Sequence, residues 1–250
     1  AIIGPSAVAG LPTRPQMIYV GGTDGMLHAF CAKAVAGSAC TVDGRELWAF
    51  IPRTLLPRLR KNTQRIDGSP RVVDLFGDFD PTDGQTLRSF RTILMFQTGT
   101  GDAATTGETP SAYALDVTDP ASPTILWEYT TPSTRGVTDF GQGITISAGL
   151  TTISGKNRLV AYAQTNNGGT GTAGNVVTAL DIETGLKLWQ AGYVYPAPRV
   201  AASGLVPAAG IPGGAIGVDR TGAGSLTDVL FGTLYGDIWR LDASTGANKY

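Results

Sequence analysis

Val176 to Trp189 reads VVTALDIETGLKLW. Val176, Thr178 and Leu180 alternate with Val177, Ala179 and Asp181, the period of a half-buried strand. Asp181 to Gly185 then has the chemistry of a turn. Asp and Thr side chains accept from nearby backbone amides, and Gly takes the left-handed conformation that closes the corner. Leu186, Leu188 and Trp189 begin a strand running back beside the first. The stretch predicts a β-hairpin with a large aromatic on its return strand.

The same hairpin recurs along the chain. Ala114 to Thr118 leads, after a longer turn, to Ile125, Leu126 and Trp127. Arg240 to Gly246 repeats the turn chemistry, and Tyr250 stands as far beyond Asp242 as Trp189 stands beyond Asp181. Ala29-Phe30-Cys31, followed by Gly44 and Leu47-Trp48, is a looser copy with a longer excursion. With Cys31, Asp116, Asp181 and Asp242 taken as equivalent, the intervals are 85, 65 and 61 residues. A hairpin that cannot bury both faces alone, repeated at such spacing, predicts stacked modules.

Composition agrees with an all-β chain. Glycine contributes 34 of 250 residues, about twice ordinary usage, scattered among short β-branched runs where tight turns need it. Lys and Arg number 19 against 20 Asp and Glu. With no basic stripe or cluster, neither nucleic acid nor an anionic membrane is an expected partner. No apolar run approaches the roughly 20 residues that span a bilayer. Ala1 to Leu11 lacks the basic leader of a complete signal peptide, and the residues could be the mature or excised part of a longer secreted chain. Cys31 and Cys40 are the only cysteines. A disulfide between them is expected if the chain is exported, the alternative being two neighbouring free thiols.

Several segments invite a chemical reading. His28 is the only histidine; a metal site or catalytic base needs partners, so it is expected as a core or edge residue. Thr54 to Arg65 places Leu55, Leu56 and Leu59 on one side of a short helix, with Arg58, Arg60 and Lys61 outside. A solvated cap is expected there ahead of an acidic-partner contact. Asp78, Asp80 and Asp83 lack calcium-loop spacing and are expected as a solvated acidic loop. Gly99-Thr-Gly101 is followed by no helical pattern, which removes a phosphate-cradling role.

The strands group by four. Gln16 to Gly21 and Met26 to Phe30 join across an Asp24-Gly25 turn, and their module gains its innermost strand from the N-terminus or another segment. Arg71 to Phe76 and the apolar Arg91 to Gln97, expected to be buried on both faces, precede the Trp127 hairpin. Ile144 to Leu150 and Leu159 to Gln164 precede the Trp189 hairpin. Gly214 to Val218, Asp228 to Gly232 and Asp237 to Leu241 follow the long connection from Tyr193 to Pro212. Four strands per repeat is the make-up of a β-propeller blade. The expected architecture is a single all-β propeller domain over residues 1–250, with antiparallel blades near 1–52, 68–130, 141–192 and 213–250. The last blade is incomplete, so the propeller is partial or continues in a longer protein.

LD-x-x-TG-x-x-x-W resembles the repeat of quinoprotein-type propellers. The order of segments is more specific: YVGGTDGMLHAF, ELWAFIPRTLLPRL, DGSPRVVD, RTILMFQTGTG with YALDVTDPASPTILWEY, and TDVLFGTLYGDIWRLD. From about Met17 to Asp242 this order resembles the C-terminal β-propeller of the PilC/PilY family of type IV pilus biogenesis factors and tip-associated adhesins. The resemblance implies a secreted, non-enzymatic, surface-exposed protein at the pilus tip (the fimbrium), associated with the outer membrane. It implies contacts with minor pilins or pilus tip proteins and with a host or surface receptor, and roles in pilus extension, adhesion and twitching motility. It also implies calcium control through an acidic loop. The matching stretch here keeps Asp219, Thr221 and Asp228 but has Ala223 where a ligand is needed. Calcium takes six to eight oxygens, so the loop offers at most a weak site, and a metal-free turn is the alternative.

Two other functions share the repeat. A quinone (PQQ)-dependent dehydrogenase commonly carries adjacent cysteines against its cofactor; Cys31 and Cys40 are not adjacent, and no organic cofactor is expected. An outer-membrane assembly scaffold shares the repeat without the ordered segments. A single histidine and no G-x-S-x-G elbow leave no hydrolase site.

Overall fold

A computed structural model describes residues 1–56, 66, 68–80, 87–98, 111–130, 145–164, 176–192, 211, 213–233 and 236–249. The basic stretch from Arg58 to Lys61, Asp83, the Gly99 to Gly101 run and Tyr250 lie outside them. Residues 53–56 form one tight helical turn, the described part of the expected helix.

The described strands make four antiparallel sheets in chain order. The first holds β1 (Ile2–Ile3), β2 (Gln16–Gly21), β3 (Leu27–Lys33) and β4 (Glu46–Phe50). The N-terminal Ile-Ile pair is thus its first strand, in register Ile2 with Ile18. The second holds β5 (Arg71–Gly77), β6 (Ser89–Gln97), β7 (Ser111–Asp116) and β8 (Thr124–Thr130). The third holds β9 (Ser147–Ile153), β10 (Lys156–Gln164), β11 (Val176–Asp181) and β12 (Lys187–Gly192). Strand β9 runs beyond the predicted Leu150, because Ser154 and Gly155, both at positive φ, close a two-residue turn to β10. The fourth holds β13 (Ala215–Val218), β14 (Asp228–Gly232) and β15 (Ile238–Asp242). A bridge from Leu241 to Asn248 starts its return strand.

Alternation along the second strand of each sheet explains the stacking. In β6, Leu94 and Phe96 bury against the first sheet with Met17, Tyr19 and Leu27, while Ile93 and Met95 bury against the third with Leu159 and Ala161. In β10, Val160 and Tyr162 turn the other way, toward Val229 and Phe231 of the fourth. The Ile93 to Phe96 centre of the RTILMFQ run is apolar because both of its faces are interior, as expected from its composition. First strands neighbour first strands, β1 against β5 and β9 against β13. Sheets that share that edge and stack in sequence make the arc of a β-propeller.

The recurrent hairpin is the joint between sheets. Buried Ala29, Ala114 and Ala179 each pair with a tryptophan: Trp48, Trp127 and Trp189. A bulge follows each alanine and bends the strand into its turn. The Asp181 carboxylate accepts from the Glu183 and Thr184 amides, and Asp242 accepts from those of Ser244 and Thr245. Each tryptophan then donates its indole N–H to the turn of the following sheet: Trp48 to Pro120 O at 2.8 Å, Trp127 to Ile182 O at 2.8 Å, and Trp189 to Ala243 O at 3.1 Å. Gly185 and Gly246, both at φ 72°, floor this contact; a Cβ there would stand 2.6 Å from the Trp127 or Trp189 ring. Both the conformation and the space exclude a side chain.

Cys31 holds the aspartate's place in the first sheet. Its N–H bonds Arg45 O and its carbonyl accepts from Gly44 N at 2.7 Å, as Asp181 O accepts from Gly185 N at 2.8 Å. The excursion inserted between these two bonds is tied at its base by the Cys31–Cys40 disulfide, both residues fully buried.

Candidate functional site

The segment expected as an acidic loop, Asp219 to Asp228, lies between β13 and β14 and is anchored on the third sheet. Leu226 donates its N–H to Leu150 O at 2.7 Å and fills the space left by two glycines, Gly149 and Gly217. Asp219 organises the loop's own backbone. Its Oδ1 accepts from the amides of Thr221 and Gly222 and from the Thr221 hydroxyl, each at 2.9 Å, and its Oδ2 accepts from Gly224 N at 2.6 Å. The Thr221 hydroxyl and these amides hold the carboxyl below the usual carboxylate range.

Asp228 is bonded elsewhere. Its side chain is 1% exposed, and Oδ1 accepts from Arg240 Nε at 2.7 Å and Lys249 Nζ at 3.3 Å, while Oδ2 accepts from the Thr227 hydroxyl at 2.8 Å. Arg220 Nε adds a longer ion pair at 4.0 Å. Burial alone would raise this carboxyl; the bonds from Arg240, Thr227 and Lys249 outweigh it and lower it instead. Asp219 and Thr221 therefore sit together, and Asp228 faces a different set of partners. Among the described residues no three His, Cys, Asp or Glu side chains have the geometry of a metal site. This donor set does not fit calcium, which needs several oxygens converging free of competing cations.

The remaining sequence candidates are structural pairs. His28 lies on the outer face of the first sheet beside Phe30, with Nδ1 2.7 Å from Glu46 Oε1 and Nε2 3.1 Å from Asp24 Oδ2. Burial opposes the imidazolium, but the bonds and charges of Glu46 and Asp24 prevail and raise its pKa. A folded pKa above the unfolded value of about 6.5 makes this contribution complete below pH 6.5 and lost as pH rises through the folded value. The melting-temperature gap between wild type and His28→Gln is expected to narrow from pH 6 to pH 8.5. For groups this exposed the effect stays below about 1 kcal/mol. A gap that does not vary with pH would remove the imidazolium from the account.

Of the expected solvated acidic loop, Asp80 is exposed but Asp78 is not. Asp78 is 8% exposed, its N–H donates to Glu183 Oε1 of the third sheet, and its Oδ1 accepts from Asp80 N. It borders a cleft of about 470 Å³ between the second and third sheets, where Arg91 pairs with Asp116 at 3.7 Å. Arg88 pairs with Glu183 at 3.2 Å beside it. Arg14 is buried and binds Gly4 O, both Asp74 oxygens and the Thr92 hydroxyl. No periodicity or motif marks it.

No protein-family model matches the chain. It is 34% identical over 125 residues, half of its length, to a type IV pilus biogenesis factor PilY1 homolog of Xylella fastidiosa. It is 34% identical over 126 residues to the PilY1 of Pseudomonas aeruginosa. The aligned part spans 9% of the length of each of these relatives. The crystal structure of the Pseudomonas aeruginosa PilY1 C-terminal domain superposes with a TM-score of 0.59 and 25% identity, covering 93% of this chain and 39% of that one.

Proposed function

We propose that this chain, homologous in sequence and fold to the C-terminal propeller of PilY1, is the surface-displayed propeller of a type IV pilus biogenesis factor. It acts through contacts and performs no reaction of its own. The observation that carries the reading is the extent of the fold match: the backbone follows that domain over 93% of the chain. Sequence identity of 34% over half the length adds to it. Type IV pilus components are the proposed partners. Adhesion to a surface receptor, support of pilus extension and twitching motility are the proposed outputs, exercised outside the cell.

Shearing surface fibres from the bacterium that makes this protein tests the location. The protein is expected in the pilus fraction and is expected to leave it when the major pilin is deleted. Recovery from the periplasm alone, indifferent to the pilin, would overturn the proposal. Mixing the purified protein with pyrroloquinoline quinone and calcium is expected to leave no stoichiometric bound chromophore. A bound chromophore with alcohol oxidation would assign the chain to the dehydrogenases.

A further inference from the structure

The fourth sheet differs from the others in what faces its turn aspartate. Asp116 pairs across the strand with Ile93, and Asp181 with Val160. Asp242 instead pairs with Asp228. Two carboxylates directly opposite one another repel, and with Asp228 nearly sealed from water the repulsion is poorly screened. Something must neutralise the pair.

Lys249 does so. Its ammonium donates to Asp242 Oδ2 at 2.7 Å, Thr227 O at 3.1 Å and Asp228 Oδ1 at 3.3 Å, using all three protons on three oxygens from separate parts of the sheet. Its backbone is fixed by the returning strand, with Lys249 N–H on Arg240 O at 2.8 Å. Arg240 supplies the second positive charge. Two carboxylates thus face two close cations, with Arg220 more distant at 4.0 Å.

We infer that the Lys249 ammonium is the resident cation of this turn, doing within the chain what a bound divalent ion would do for facing carboxylates, so that the loop from Asp219 to Asp228 is set without calcium. This inference is independent of the proposed function, since it concerns only how the turn is neutralised. The loop keeps a carboxylate at each end, Asp219 and Asp228. Its last carboxylate has been turned to an internal lysine and arginine, and its first to the loop's own amides.

Hydrogen exchange over residues 219–228 and 238–249 of the full chain tests it without requiring global unfolding. In the wild type, exchange is expected to be the same in millimolar calcium and in chelator. Lys249→Met is expected to exchange about tenfold faster across both segments. Asp242→Asn in that background keeps a capping oxygen while removing one charge, and is expected to restore part of the protection. Calcium-dependent protection of the wild type would overturn the inference. So would a Lys249→Met variant that exchanges like the wild type, or a double variant no better protected than the single one.

Discussion

Trp127→Ala should remove about 3–5 kcal/mol of stability, the usual loss when a buried large aromatic is truncated. That is a large share of a typical domain's 5–15 kcal/mol. Trp127 is 7% exposed and packs with the core between the second and third sheets. Its truncation opens a cavity, strands the Ile182 carbonyl that it now satisfies at 2.8 Å, and exposes the floor at Gly185. Urea denaturation is the measurement. The partner change sharpens it. Gly185→Ala carries two penalties, a left-handed φ and a Cβ placed 2.6 Å from the indole. Trp127→Ala relieves the steric penalty only in part, because it removes the indole but keeps the Cβ of residue 127, 2.7 Å from where the new methyl would stand, and the backbone penalty of about 1–2 kcal/mol remains as well. The two substitutions should therefore be non-additive by the part of the clash that the indole contributes, a coupling of at least about 0.5 kcal/mol. Additive losses would mean that the tryptophan and the glycine do not form one joint.

Arg14→Ala should cost about 3 kcal/mol, near the lower end of what breaking a buried ion pair costs, because Asp74 keeps some solvent contact with its side chain 18% exposed. Arg14 binds Asp74 through two nitrogens, at 2.6 and 3.0 Å, and ties the segment after β1 to β5 and β6 of the next sheet. Burial pushes the Asp74 carboxyl up, but bonds from Arg14 and Thr92 and the guanidinium charge outweigh this and hold it low. A depressed folded pKa gives stability that is present above the unfolded pKa of about 3.9 and lost as pH falls through the folded value. The wild type should therefore lose its advantage over Arg14→Ala on acidification, the two converging as pH falls through the folded value. Neutralising both partners, Arg14→Met with Asp74→Asn, should cost less than Arg14→Ala alone, since no charge is left unpaired.

What could be read from the sequence was what neighbouring residues decide. Strand alternation, the Asp-to-Gly turn and the tryptophan after it are local, so the hairpin at Val176 to Trp189 and its copies were legible. So was the placement of Cys31 at the aspartate's position, through spacing alone. The doubly apolar β6 announced burial on both faces. The two-residue strand Ile2–Ile3 was too short to carry a period. Arg14 meets Asp74 across 60 residues, a distance over which no spacing rule operates. The acidic loop shows the same boundary. Asp219 and Asp228 were visible as carboxylates, but the partner of Asp228 is decided by Arg240 and Lys249, which reach it only after β15 has paired and its return strand has begun. Asp78 looked solvated for the same reason: Glu183, whose carboxylate accepts from the Asp78 backbone N–H, belongs to the following sheet.

Indole N–H exchange in protein carrying isotope-labelled tryptophan tests the stacked-sheet account most directly, because three of the four tryptophans are assigned a carbonyl on the following sheet. Trp48, Trp127 and Trp189 should exchange slowly, and Gly185→Val should release the Trp127 signal while leaving that of Trp48 protected. Exchange of these three indoles at the rate of free tryptophan, or release of all of them together, would contradict it.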